Sequence, residues 1–195
     1  MYRRYLSIVS VLLVCGCGTP DPSVVKSGIE VAITSITMND GSQDNSASLE
    51  VDAVQNPACP GSGDPEVITN AYINMTFRAS YVLPEGSSLQ QDYNYVHLQS
   101  YTITYTPVDA ATTAQIPSVT RYVQLDIEIG GQPELIFLFM SLDQKSAWDT
   151  AQADFGDFLP KEYNVVVEFT AVDPRQNQMT IKTEKSVTIG SFDNC

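Results

Sequence analysis

The sequence predicts an all-β protein, an antiparallel β-sandwich of about eight strands. Three observations lead there. Period-two alternations of apolar and polar residues recur along most of the chain. Clusters of Gly, Pro, Asn and Asp separate them at intervals suited to a sandwich. No strand–helix–strand rhythm interrupts the series. Of 195 residues 43% are hydrophobic and only 17% charged, so the chain can bury a core and is not a disordered acidic tail.

Each element has its own signature. Residues 29–36 (IEVAITSI) place Ile29, Val31 and Ile33 on one face, and the turn signal Asn39-Asp40-Gly41-Ser42 follows. Residues 48–54 alternate again, and Pro57 to Pro65 is a loop. Residues 67–79 give the cleanest strand, with Val67, Ala71, Ile73, Met75, Phe77 and Ala79 on one face. In 94–106 the apolar positions switch from even (Val96, Leu98) to odd (Tyr101, Ile103, Tyr105), which predicts a β-bulge or a break near Gln99-Ser100. Val123, Leu125, Ile127 and Ile129 set the inner face of 121–129. Gly130-Gly131-Gln132-Pro133 reads as a hairpin turn into 134–142 (ELIFLFMSL), which is apolar on both faces and is expected to be covered on both. Residues 143–161 are the one helical stretch, giving at most a short helix near 143–158 with Trp148, Phe155 and Phe158. Strand 163–171, a turn at Asp173-Pro174-Arg175-Gln176-Asn177 and strand 178–189 complete the series.

The first residues differ in kind. Arg3 and Arg4 precede an apolar run, Leu6 to Val14, of about ten residues, half of what a membrane-spanning helix needs. Charge, short apolar run and small residues form the pattern of an export signal. Val14-Cys15-Gly16-Cys17 resembles a lipobox, the recognition site of bacterial lipoprotein signal peptidase. The resemblance covers about twenty residues and implies a bacterial lipoprotein. Residues 1–16 would be removed and Cys17 acylated, palmitate included. Cys15 is the rival anchor, but Val14 would then precede the cut, where Gly or Ala is expected. Gly18 in second place, where aspartate retains many lipoproteins in the inner membrane, implies the outer membrane if the organism is Gram-negative.

Residues 17–27 then read as a tether, with two prolines and small polar residues, reaching at most about 35 Å over ten extended residues. Residues 28–195 read as a single domain. Removing residues 1–16 takes away two arginines and no acid, so the formal charge moves from −13 to −15. That surface repels phosphate backbones, and nucleic acid is not an expected partner. Two cysteines remain beside Cys17. In an oxidising envelope, Cys59 and Cys195 are expected to form a disulfide worth roughly 4–5 kcal/mol. Strand alternation puts the loop holding Cys59 and the chain end holding Cys195 at the same end of the stack. Loops 80–93, 130–133 and 172–177 fall together at the other.

Tyr163-Asn-Val-Val-Val-Glu-Phe-Thr-Ala-Val-Asp resembles the penultimate strand of immunoglobulin-like and fibronectin-III-like domains. The resemblance covers about 30 residues closely and implies an immunoglobulin-like sandwich with Tyr163 as the corner tyrosine. A jelly roll is the competing sandwich.

The chain offers little reactive chemistry. His97, its one histidine, lies mid-strand with no Cys near it, and no Gly-x-Ser-x-Gly elbow exists to pair with it. Gly61-Ser62-Gly63 is too short for a phosphate loop. No cofactor is implied. Weak calcium candidates are Asp40 and Asp44, which alternate with Ser42, and the cluster Asp149, Asp154 and Asp157; the glycine and glutamate of an EF-hand are missing. Tyr101, Tyr105 and Tyr163 fall on core faces; Tyr72, Tyr81, Tyr93, Tyr95 and Tyr122 can be exposed. Tyr81, Tyr93 and Tyr95, with Asp173 and Arg175 from the neighbouring turn, mark an expected binding surface. These features together suggest a non-catalytic envelope lipoprotein that binds another protein or serves as a structural accessory, with a carbohydrate-binding module as the alternative.

Overall fold

A computed structural model describes residues 23–26, 28–40, 49–55, 65–82, 94–112, 114–153 and 159–192. Nine strands and one helix occur among them: β1 (Ser23–Lys26), β2 (Ile29–Asn39), β3 (Glu50–Asp52), β4 (Ala71–Tyr81), β5 (Tyr95–Pro107), β6 (Val119–Glu128), β7 (Glu134–Met140), α1 (Leu142–Ala153), β8 (Lys161–Val172) and β9 (Gln178–Gly190). They form two sheets, β1-β2-β4-β7 and β3-β9-β8-β5-β6. The protein is mostly β, as expected.

The pairing is not wholly antiparallel. β3 runs parallel to β9, with Glu50, Val51 and Asp52 opposite Thr188, Ile189 and Gly190. Periodicity cannot reveal this, because a half-buried strand alternates alike in either direction. The expected tether also yields a strand: Ser23–Lys26 pairs antiparallel with β2. Gly130-Gly131-Gln132-Pro133 is no hairpin turn, because β6 and β7 belong to different sheets. Gly130, at φ +83°, donates its N–H to the Ala79 carbonyl and carries the chain across.

Where alternation is clean the faces are as read. Ala71, Ile73, Met75, Phe77 and Ala79 are buried along β4. The strand begins only at Ala71, however, and Val67 is 82% exposed. The face switch in β5 is a register shift between Leu98 and Ser100. On β7 one face is open: Ile136 is 67% exposed while Phe137 and Phe139 are buried.

Aromatic rings join the sheets. Phe77 meets Phe169 edge-on at 5.2 Å, and Phe137 meets Phe169 at 5.6 Å and Tyr101 at 4.6 Å. Tyr101 and Tyr105, on β5, donate their hydroxyls to the carbonyls of Leu138 and Phe139 on β7. Burial raises both phenols above their ordinary value.

Tyr163 is buried at the start of β8, but its hydroxyl reaches far from home. It donates to the carbonyl of Ala114, on the β5–β6 crossing, at 2.9 Å. It also accepts the indole N–H of Trp148 at 2.8 Å. The expected corner tyrosine would bond a few residues upstream. Here α1 supplies a donor and a distant loop the acceptor.

Candidate functional site

α1 builds the principal site. Ser141 is its N-cap: its backbone N–H and hydroxyl both reach Gln144 Oε1, and the Gln144 N–H returns to Ser141 Oγ. This is the reciprocal capping box, and it fixes where the helix begins. Asn70 Oδ1, just before β4, accepts the N–H of Leu142 and ties the helix to the sheet. Lys145, Trp148 and Gln152 then share one face by their spacing, and all three are buried.

Lys145 is 1% exposed, and its Nζ has no hydrogen-bond partner. It lines a cavity of about 360 Å³. The end of β3 supplies Ala53 and Gln55, the approach to β4 supplies Pro65 to Ile68, and α1 supplies Leu142, Lys145, Ser146 and Asp149. Glu66 is buried in this wall, and Gln55 Nε2 donates to its backbone carbonyl at 2.7 Å. Asp52, also buried, accepts the N–H groups of Val54 and Phe192 through Oδ1. Asp40 Oδ2 accepts the N–H of Asp52.

Burial lowers the Lys145 amine below its ordinary value, and the charges of Asp40, Asp52 and Glu66 oppose that shift. Burial also raises the carboxyl of Asp149. An amine desolvated without a partner generally costs roughly 1–3 kcal/mol or more. The cavity wall sets Gln55, Ser146 and Asp149 beside the apolar side chains of Pro65, Val67 and Leu142, while the Lys145 amine is shielded from it.

The expected binding surface is only partly assembled. Tyr95 and Asp173 line a second pocket of about 270 Å³ with His97, Gln99, Asp126, Val172 and Gln176. Asp173 is not a surface group. It is buried, and its carboxylate accepts the backbone N–H of Asn177 and the Asn177 amide, closing the β8–β9 turn. Arg175 is exposed in that turn, and Tyr81 is half-buried at the end of β4. His97 Nδ1 and Asp126 Oδ1 lie 2.6 Å apart across β5 and β6, but both are partly exposed, and such pairs contribute roughly 0–1 kcal/mol.

Among the described residues no three His, Cys, Asp or Glu side chains are placed to hold a metal ion. Asp40 and Asp149, two of the calcium candidates, belong instead to the surroundings of Lys145. Cys17, Cys59, Cys195, Tyr93, Asp44, Asp154 and Asp157 lie outside the described residues. Sequence reasoning missed Lys145, Glu66 and Asp52. The one available signal was a lysine three residues before the chain's lone tryptophan, on the same helical face.

No protein-family profile matches the chain, and no curated protein matches it. In structure the chain is similar to a protein from Archaeoglobus fulgidus, known from a crystal structure. The TM-score is 0.44 at 10% sequence identity, over 83% of this chain and 98% of that one. Likeness at this level says nothing of function.

Proposed function

We propose that this chain is a non-catalytic binding module of the cell envelope, held at the membrane by a lipid on Cys17 and built on an immunoglobulin-like sandwich. The carrying observation is the cavity of about 360 Å³ beside α1, which sets the polar side chains of Gln55, Ser146 and Asp149 beside the exposed Val67 and Leu142. A recess that mixes a few polar groups with apolar surface suits recognition of a guest.

Strand order supports the immunoglobulin-like reading. On that reading β4 and β7 would correspond to strands B and E, and β9, β8, β5 and β6 to G, F, C and C′. The export signal and Cys17 support the anchor. Protein binding is the simplest role for an anchored sandwich. The polar side chains of Gln55, Ser146 and Asp149 in the cavity wall favour the second reading, a module for glycans.

Amide chemical-shift mapping of the non-acylated chain against a solubilised envelope extract tests the site. Shifts clustered at Ala53, Glu66, Val67, Lys145 and Ser146 are expected. No shift, or shifts confined to the outer sheet faces around Tyr122, would overturn the reading. For the anchor, Cys17→Ser should move the chain from the membrane fraction to the soluble one; unchanged fractionation would refute acylation there.

A further inference from the structure

We propose that a second recess, at the rim of the sheet β3-β9-β8-β5-β6, binds a neutral saccharide on the ring of Tyr95, with His97, Gln99, Asp126 and Gln176 exchanging hydrogen bonds with its hydroxyls. The recess shares no residue with the cavity beside α1, so the inference goes beyond the binding reading above.

Two irregular backbone positions converge there. Tyr95, His97 and Gln99 alternate along β5 with the buried Val96 and Leu98, and all three line the recess. The register shifts between Leu98 and Ser100 against both β6 and β8, so Gln99 is an extra residue without a cross-strand partner. A bulge of this kind re-aims a side chain. Next to β5 in the sheet, β8 leads into the turn that holds Gln176 at φ 64°, a conformation costly to a residue with a side chain. Asp173 fixes that turn and commits its own carboxylate to Asn177. Both departures from regular structure set an exposed amide side chain at the same recess.

The remaining groups are open to a guest. The His97 and Asp126 side chains are 33% and 61% exposed. Their contact, Nδ1 to Oδ1 at 2.6 Å, leaves the second ring nitrogen and the second carboxylate oxygen for other partners. Tyr95 is exposed at the start of β5 and can offer its ring face to the C–H side of a pyranose. The volume, about 270 Å³, falls just below the usual range of ligand sites and suits the end of a saccharide.

The lining selects the ligand class. Asp126 and Asp173 contribute carboxylates and no lysine or arginine lines the recess, so an anionic guest meets repulsion. An apolar guest would find only Val172 and the Tyr95 ring. A cation could use Asp126, but it accepts no hydrogen bond from the two amides. A sugar hydroxyl donates and accepts, so neighbouring hydroxyls can serve the carboxylate, the imidazole and the amides together. Of the surface expected from sequence, Tyr95 supplies the platform and Asp173 the frame of the turn.

Heteronuclear NMR titration of the non-acylated full-length mature chain tests the site. The probes are neutral di- and trisaccharides of glucose, galactose, mannose and their N-acetylamino forms, a glucuronate-containing disaccharide, and trilysine. Saturable shifts at His97, Gln99, Asp126 and Gln176 with at least one neutral saccharide are expected. The glucuronate disaccharide and trilysine should each bind about tenfold more weakly. Tyr95→Ala removes the platform and should weaken the best saccharide by about tenfold. Gln176→Gly suits the turn backbone while deleting the amide, and it should weaken binding several-fold even if Tyr95→Ala fails to fold. Trilysine or the glucuronate disaccharide binding as tightly as the best neutral sugar would overturn the inference. So would saccharide shifts that survive both variants, or no shift across the neutral panel. Saccharide shifts confined to Gln55, Ser146 and Asp149 would remove this site and leave the binding reading of the α1 cavity standing.

Discussion

Trp148 donates its indole N–H to the hydroxyl of Tyr163 at 2.8 Å, and that single bond couples α1 to the first turn of β8. The same hydroxyl donates to the Ala114 carbonyl, so the helix, the strand and the β5–β6 connection meet at one buried oxygen. Tyr163→Phe therefore strands a donor and an acceptor together. A loss of roughly 2–4 kcal/mol is expected, read as a fall in Tm of about 5–15 °C by calorimetry. Trp148→Phe leaves only the Trp148 side of the network vacant and should cost additionally in packing. In a double-mutant cycle the two losses should fall short of additivity, since they share one bond. Additive losses would mean that the hydroxyl does not join helix and strand.

Lys145→Met should stabilise the chain at neutral pH by about 1–3 kcal/mol, because it removes an amine desolvated without a partner. The sign follows from linkage. Burial lowers the folded-state value of this amine below 10.5, so the unfolded chain binds its proton more tightly. Wild-type stability should then rise with pH from the lowered value up to 10.5, and the advantage of the variant should shrink over the same window. Buried Tyr101, Tyr105 and Tyr163 act in the opposite direction above 10.0, where unfolded phenols ionise first. That contribution is common to both proteins and cancels in their difference. Urea unfolding of both at neutral pH and near pH 11 checks this; a pH-independent difference would remove the desolvated amine from the account.

A disulfide between Cys59 and Cys195 is expected in the mature protein. The segments on either side are brought together: Gln55 Nε2 donates to the Glu66 carbonyl, and Phe192 donates its N–H to Asp52. Intact-mass analysis with and without reductant should show a two-hydrogen difference. Reduction should cost roughly 4–5 kcal/mol. Two alkylatable thiols in the unreduced, unfolded chain would disprove the bond.

The β8–β9 turn should prove structural. Asp173→Ala removes the acceptor for the Asn177 backbone and side chain and is expected to cost about 1–2 kcal/mol, leaving ligand-induced shifts at the α1 cavity unchanged. Gln176 holds φ at 64°, a conformation that costs a side-chain-bearing residue roughly 1 kcal/mol. Gln176→Gly should recover about 0.5–1 kcal/mol in the same denaturation assay. A neutral Asp173→Ala, or a destabilising Gln176→Gly, would contradict this description of the turn.

The alternation of apolar and polar residues by itself determined most of the strands, the inward faces of β4 from Ala71 onward and of β8, the face switch in β5 and the burial of Tyr101, Tyr105 and Tyr163. These are local properties, because side-chain direction in a strand repeats every second residue whatever the neighbour. The tertiary structure decided what depends on the neighbour. It set the parallel placement of β3 on β9, the crossing of Gly130 between sheets and the withdrawal of Asp173 from the surface. It also buried Lys145. By composition that lysine is one more charge on a polar helix, and its place beside Glu66, with the charges of Asp40 and Asp52 behind it, exists only once α1 is laid over the end of the sandwich. A site made of groups from three separated segments has no signature along the chain, because its geometry is set by packing and not by sequence spacing.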